Sequence, residues 1–326
     1  MSGEAVSGVA IVGPGRMGEA HARAWAALAP DVEVVAVVGR PTARALPAVP
    51  EARLVTDLET VLADPGVTIL SVCTPTDTHL ELASRALAAG KHVLLEKPLT
   101  RTAAEGEELV RASERAAGVL MVAQVVRFFP GYVAVRDLVT RGDLGALHEV
   151  RVQRLSATGG RPAWVDDDER SGGVLLDLAV HDFDQLLLLL GPARRVEAVA
   201  RDDGTVEVTV DHAGGATGRL RAGWDLPADF PFSTLLEVTG IDGRARHTAV
   251  AGSPATNDLE VEGPHGVRRS AVDGEDPYTA QARYFLDCVR TGRRPEHGDP
   301  AASLAALRLA LAARTSLLER RSVDVD

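Results

Sequence analysis

Asp177 and His181 stand four residues apart in the stretch 171–191, SGGVLLDLAVHDFDQLLLLLG. On a helix that spacing stacks them on one face, with Asp184 a further turn along. The stretch opens on two glycines, stops at Gly191-Pro192 and carries leucines elsewhere, which is the pattern of a buried helix. A carboxylate beside an imidazole there is either a satisfied core pair or a proton-handling pair. Lys97, in Glu96-Lys97-Pro98, is a second candidate. An ammonium held at a strand end and braced by a proline can neutralise the alkoxide that develops as a hydroxyl is oxidised, with Glu96 as its local partner. Lys97-Pro98 is also a candidate cis bond.

A third candidate lies near the start, where a β-branched run over residues 9–12 breaks into Gly13-Pro14-Gly15-Arg16-Met17-Gly18 before a helical pattern. Strand, glycine turn and helix in that order suit a dinucleotide. One glycine makes the tight turn, one lets the backbone approach a pyrophosphate, one lets the helix pack closely, and the helix N-terminus supplies N–H groups to phosphate. The next strand, residues 32–38, ends in Gly39-Arg40, without the carboxylate that would accept hydrogen bonds from the adenosine ribose. Nothing there repels a 2′-phosphate and a guanidinium is placed to bind it, so NADP(H) is expected over NAD(H).

The elements that must position these residues alternate through the first third. Strands are expected over 68–72, 92–95 and 120–123, with helices between them, one of them opened by a capping box of Thr102 and Glu105. Residues at the carboxyl ends of such strands face the ligand crevice of a doubly wound sheet. Thr74, Pro75, His79, Glu96, Lys97 and Gln124 therefore join the expected cofactor set, and His79 suits the start of its helix somewhat better. The expected boundary falls at Gln124, giving a dinucleotide-binding domain over 1–123 and a substrate-binding and oligomerisation domain over 124–326.

Beyond it, strand patterns at 147–155, 196–200, 206–212, 218–224, 235–239 and 244–250 follow one another with Gly214-Gly215 and Asp242-Gly243 as hairpin turns. Strands without intervening helices make an antiparallel sheet, and one face of it must be covered by helices or by another subunit, so a homo-oligomer is expected. Helices are expected from Pro277 to Val289 and from Pro300 to Arg320. Arg127, after the last strand of the first domain, Trp164, in the loop before the Asp177 helix, and Tyr278 are candidate substrate contacts.

Composition limits the partners. The 326 residues suffice for two domains, and 45% apolar with 25% charged residues describes an ordinary globular chain. A formal charge of −11 disfavours nucleic acid and anionic membranes. Cys73 and Cys288 lack metal-ligand spacing, and no metal is expected; with no basic leader and a longest leucine run of five, residues 186–190, a cytoplasmic location is expected.

GPGRMG, TPTDTH with ALAAGKHVLLEKPL, SGGVLLDLAVHDFD and the C-terminal FLDCVRTGRRP together resemble the Gfo/Idh/MocA family of nicotinamide-dependent oxidoreductases across the whole chain. The resemblance implies a Rossmann domain followed by an α/β domain on a large, mostly antiparallel open sheet. It also implies that Lys97, Asp177 and His181 form the catalytic group. HDFD is similar to the inositol 2-dehydrogenases of the family, which carry an acidic residue where this chain has Gly39, a departure that argues against NAD and against simple transfer of the inositol substrate. The activity implied is reversible oxidation of a secondary alcohol on a sugar or cyclitol. Two other classes fit the motifs: a redox-neutral, glycosidase-type enzyme that would show no net change in nicotinamide absorbance, and a non-catalytic dinucleotide sensor, which would have no use for the lysine, aspartate and histidine together.

Overall fold

The computed structural model describes residues 7–253 and 255–325. The chain divides into two compact units, one running to Phe128 and resuming over Glu275–Leu304, the other comprising Phe129–Gly274 and the chain from Ala305 onward. The division after Phe128 lies five residues beyond the boundary expected at 123/124. Residues 275–304, expected in the second domain, pack with the first, because an apolar helix face there is needed to finish the first unit's core.

In the first unit β1 (Ser7–Val12) leads through the glycine turn into α1 (Arg16–Ala26) and β2 (Val32–Val38). There follow β3 (Arg53–Val55), α2 (Leu58–Leu62), β4 (Val67–Val72), α3 (His79–Ala88), β5 (His92–Leu95), α4 (Ala103–Arg115) and β6 (Leu120–Val122). The six strands form a parallel sheet in the order β3-β2-β1-β4-β5-β6. The order reverses between β1 and β4, so the chain leaves those two strands in opposite directions and opens a crevice at their carboxyl ends. β1, β4 and β5 are almost wholly buried Val, Ile and Leu, as a sheet covered on both faces requires. Trp25 on α1 and Phe285, from the returning segment, are both fully buried and meet edge to face with centroids 6.4 Å apart.

The second unit opens with α5 (Pro130–Thr140) and the long strand β7 (Leu147–Ala157). A short helix α6 (Asp168–Ser171), a π-helical turn at Val174–Leu178 and α7 (Val180–Leu190) follow. Then come β8 (Ala193–Ala200), β9 (Val206–His212), β10 (Thr217–Leu226), β11 (Ser233–Gly240), β12 (Arg244–Val250), β13 (Thr256–Gly263) and β14 (Gly266–Ala271). α8 (Pro277–Thr291) belongs to the first unit, α9 (Pro300–Glu319) crosses the division at Leu304, and β15 (Val323–Asp324) closes the chain. The nine strands are ordered β14-β13-β12-β11-β7-β10-β9-β8-β15. Every neighbouring pair is antiparallel except β7 with β10, so the sheet is mostly antiparallel, as expected.

Alternate residues of β9 and β11 are buried, and α7 packs on β7 and β10 while α5 packs on β12. The other face carries charge: Arg219 reaches Glu149 at 2.9 Å, and Arg244 reaches Glu262 at 3.1 Å. α9 is, by length and composition, apolar enough to cross a membrane. Its Leu307, Leu309, Ala310 and Ala313 are fully buried in the protein, and Ser316 Oγ accepts the Ala198 N–H at 2.9 Å, the contacts of a core helix.

Candidate active site

The carboxyl ends of the parallel strands lie in one row, joined by main-chain hydrogen bonds that step across the sheet. Gly39 N donates to Val55 O, Gly13 N to Val38 O, Cys73 N to Val12 O, Glu96 N to Val72 O and Ala123 N to Leu95 O, all at 2.7–2.9 Å. Gly13, Gly39, Glu96 and Gln124, with Thr74 just past Cys73 and Lys97 just past Glu96, are therefore brought to one edge of the first unit.

The three glycines of the turn have separate physical reasons. Gly13 has φ +99°, and a Cβ on it would lie 2.7 Å from Cys73 O. A Cβ on Gly18 would lie 2.1 Å from Gly13 O and 3.4 Å from Ile11 Cγ2, so only glycine lets α1 sit this close to its strand. Gly15 meets nothing within 4 Å, and it caps α1 with no side-chain hydrogen bond. The crowded glycines build the turn and the open one leaves its backbone approachable, which is the fit a pyrophosphate needs. Arg16 is exposed and Met17 half-buried at the same turn.

At the adenosine end a Cβ on Gly39 would lie 2.7 Å from Ala43 Cβ and 2.8 Å from Pro14 Cγ. A carboxylate cannot be mounted there without displacing the proline of the glycine turn, and the next residue, Arg40, is exposed. His79 takes the helix-start place that the sequence also suited. It is completely buried at the head of α3, with Nδ1 2.8 Å from Pro98 O and Nε2 3.1 Å from Thr74 O. Both partners are carbonyls, so the neutral ring donates to one of them and packs against the other, and burial holds its pKa below the ordinary histidine range. Thr78 Oγ1, 2.7 Å from both Thr74 Oγ1 and Pro75 O, secures the loop at Thr74.

Lys97 is half-buried and its bond to Pro98 is cis. Glu96, expected as the local partner of the lysine ammonium, feels the Lys97 charge and makes two further contacts. Its Oε1 lies 3.0 Å from His21 Nε2, and its Oε2 accepts the main-chain N–H of Lys97 at 3.1 Å. Burial works to raise the Glu96 pKa, but the hydrogen bond and charge of His21, with Lys97 adding to them, hold it below the usual carboxylate range. For His21 burial acts downward and is outweighed by Cys73 and Glu96, so that its pKa is pushed up to about 10.

Asp177 and His181 do not share a single α-helix. Gly172 and Gly173, at φ +81° and +73°, end α6, and the chain then makes a π-turn in which Ala179 N donates to Val174 O at 2.9 Å. Asp177 lies in that wider turn, half-buried, whereas His181 lies in the first turn of α7 and is 9% exposed. Asp177 and His181 are thus separated by a change of winding at Ala179 rather than by one regular α-helical turn. Single π-turns are rare and sit frequently at functional sites. α7 is fixed from behind by Asp182, fully buried, which accepts two hydrogen bonds from Arg154 of β7 at 2.8 and 3.0 Å. Burial raises the Asp182 pKa against the pull of Arg154. Asp184 is buried on the same helix.

Of the expected substrate contacts, Trp164 is half-buried in the 158–167 loop, which Arg161 ties to β10 through Trp224 O at 2.6 Å and Asp225 at 2.8 Å. Arg127 is buried, and its guanidinium donates to Glu296 O at 3.1 Å within the first unit. Tyr278 also belongs to the first unit rather than to the substrate domain, and its ring flanks His21 with centroids 6.3 Å apart.

Residues 7–124 match the model of the GFO_IDH_MocA oxidoreductase family with its NAD-binding Rossmann fold, and residues 132–246 match the GFO/IDH/MocA C-terminal domain. The chain belongs to the GFO/IDH/MocA oxidoreductase family. Among the relatives of this oxidoreductase is the inositol 2-dehydrogenase of Rhizobium meliloti (strain 1021), 28% identical over 97% of this chain and 98% of that one. The 1,5-anhydro-D-fructose reductase of Ensifer adhaerens is 32% identical over 76% of each chain. In fold, this oxidoreductase matches a levoglucosan dehydrogenase solved with NADH, with a TM-score of 0.87 at 21% identity over 98% of this chain and 99% of the other. Two buried links in this oxidoreductase have no local sequence signal. His21 and Glu96 stand 75 residues apart, and Arg154 and Asp182 stand 28 apart.

Proposed function

We propose that this oxidoreductase interconverts a secondary alcohol and a ketone on a sugar, cyclitol or sugar derivative, and that it prefers NADP(H) to NAD(H). The observation that carries the reading is the row of strand ends, where an approachable Gly15 and a lysine share one edge of a parallel sheet. The family relationship supports the substrate class. The preference for NADP(H) is supported by Gly39, which Pro14 and Ala43 keep free of any side chain, and by the exposed Arg40 beside it.

Bound at Gly13, Gly15, Gly18, Thr74 and Pro75, a nicotinamide dinucleotide would supply the acceptor or donor of hydride. The protein supplies the proton chemistry. His181 Nε2 or Nδ1 takes the hydroxyl proton as general base and returns it in the reverse direction. The Lys97 ammonium stabilises the oxygen as it becomes an alkoxide, the point at which fixed charge lowers the barrier most. Asp177 orients His181 or a neighbouring hydroxyl, and the half-buried Trp164 gives the ring an apolar wall. The charged face of the nine-stranded sheet supports a homo-oligomer, the net charge of −11 supports a protein without nucleic-acid or anionic-membrane partners, and the two well-separated cysteines suit a reducing cytoplasm.

A screen of cyclitols, free sugars and nucleotide-linked keto-sugars with both dinucleotides, followed at the reduced-nicotinamide absorbance band, tests the reading. Turnover with at least one polyol, faster with NADP(H), is expected. Conversion of a substrate with no net change in absorbance would favour redox-neutral chemistry instead.

A further inference from the structure

α1 begins at the glycine turn and carries His21 into the interior of the first unit, where it is 2% exposed. Besides Glu96, the ring meets Ser71, whose Oγ lies 2.7 Å from Nδ1 and also accepts the Trp25 indole N–H at 3.3 Å. A carboxylate only accepts, so Nε2 must carry a proton and donate to Glu96. The hydroxyl of Ser71 can accept from a protonated Nδ1 or donate to a bare one. The ring is therefore held at both nitrogens in either charge state, and Glu96 has one oxygen on the ring and the other on the peptide of Lys97.

We propose that His21 is a positioning residue for Lys97, acting through Glu96. It holds one oxygen of the carboxylate whose other oxygen accepts the Lys97 N–H, and so fixes the peptide from which that ammonium extends. The chain of contacts runs from the helix that starts at the dinucleotide turn to the residue that faces the reacting oxygen, and so joins cofactor helix and lysine in one rigid piece. Without the ring, a carboxylate buried to 6% exposure loses the donor on one oxygen. The freed oxygen would then compete more strongly for the Lys97 ammonium, whose charge already acts on this carboxylate, and draw it from substrate. The proposal rests on the catalytic reading of Lys97 given above.

The test combines kinetics with a readout that needs neither dinucleotide nor turnover. His21→Ala is expected to lower kcat about 10–100-fold, the usual cost of a reacting group displaced by about 1 Å, with dinucleotide Kd changed less than about threefold, well under the tenfold that 1.4 kcal/mol represents. His21→Gln, which keeps a donor toward Glu96, is expected to recover most of that rate. In a Lys97→Ala background, His21→Ala should cost nothing further, because residues acting as a unit are not additive. In uniformly 15N-labelled full-length protein, the Lys97 amide proton should resonate downfield and move upfield in His21→Ala. If His21→Ala does not fold, Glu96→Gln is expected to move the same resonance and to lower kcat. A Lys97 amide unmoved by either substitution, or equal kcat losses with and without the Lys97 side chain, would overturn the proposal. Full turnover by Lys97→Ala alone would instead overturn the catalytic reading of Lys97, leaving the amide resonance to decide the positioning link.

Discussion

Replacing Gly15 and Gly18 by alanine, one at a time, separates binding from folding at a single turn. Gly18→Ala forces a Cβ to 2.1 Å from a main-chain oxygen of the same turn, which cannot swing aside as a side chain would. Overpacking of this kind costs about 1–3 kcal/mol. In a unit of this size each kcal/mol moves Tm by about 2–4 °C, so a fall of roughly 2–12 °C is expected. Gly15→Ala adds a methyl group where nothing lies within 4 Å and where φ, at −86°, suits alanine. The entropy that alanine removes from the unfolded chain, about 0.4–1 kcal/mol, roughly offsets its weaker capping, so Tm should stay within ~3 °C. The methyl group nevertheless stands between the turn and an approaching pyrophosphate. Losing one charge-assisted hydrogen bond, worth about 1.5–3 kcal/mol, weakens the dinucleotide Kd roughly 10–150-fold. Thermal melts and calorimetric titration of both variants read the two effects independently. Unchanged affinity in Gly15→Ala, or an unchanged melt in Gly18→Ala, would refute the assignment of roles to the two glycines.

Other consequences follow from the buried pairs and the sheet face. Asp182→Asn leaves the Arg154 guanidinium buried without its counter-charge, which costs about 3–5 kcal/mol, and denaturant unfolding should show it; a loss under ~1 kcal/mol would mean that the pair does not pin α7. The His21–Glu96 pair sets a pH window. The His21 pKa, raised from 6.5 to about 10, gives stability that is complete below pH 6.5 and drains away as pH rises through about 10. Glu96, held below 4.5, contributes above that value and loses its contribution as pH falls through its lower folded value. Wild-type Tm should therefore fall from pH 6.5 toward 10 more steeply than that of His21→Gln, and parallel curves would contradict this. A homo-oligomer built on the charged sheet face should dissociate in sedimentation runs as salt rises, and an invariant monomer at all salt concentrations would exclude it.

Much of the fold was legible because it is locally encoded. β2, β5, β9 and β12 occupy the residues expected from their β-branched or alternating runs, and the Thr102–Glu105 capping box is formed. β13 has no fully buried residue and β14 is exposed throughout, so no buried face imposes an alternating apolar pattern on either strand. α5 follows a proline at its first turn, a legitimate start that the strand-rich surroundings concealed. The π-turn at Val174–Leu178 left no trace either, since a four-residue spacing looks the same whether one turn or two windings separate the residues. The glycine turn, Lys97 and His181 were read from residue type and spacing. Their supports were not, because His21 and Arg154 find Glu96 and Asp182 only through tertiary packing. His79 shows the same limit: the sequence suits the start of a helix, which it makes, but the carbonyls of Thr74 and Pro98 beside its ring nitrogens are reached only through packing.

The central claim is hydride transfer between a secondary alcohol and a nicotinamide, with His181 moving the proton and Lys97 holding the oxygen. The most direct measurement supplies a polyol deuterated at its reacting carbon with oxidised NADP and follows the label by mass spectrometry. The label is predicted in the reduced dinucleotide with the wild type and is expected to fall by roughly 10²–10⁴-fold in rate in His181→Ala, whose dinucleotide affinity stays near that of the wild type. Failure of the label to reach the dinucleotide with any polyol that the protein binds, or undiminished transfer in His181→Ala, would contradict the account.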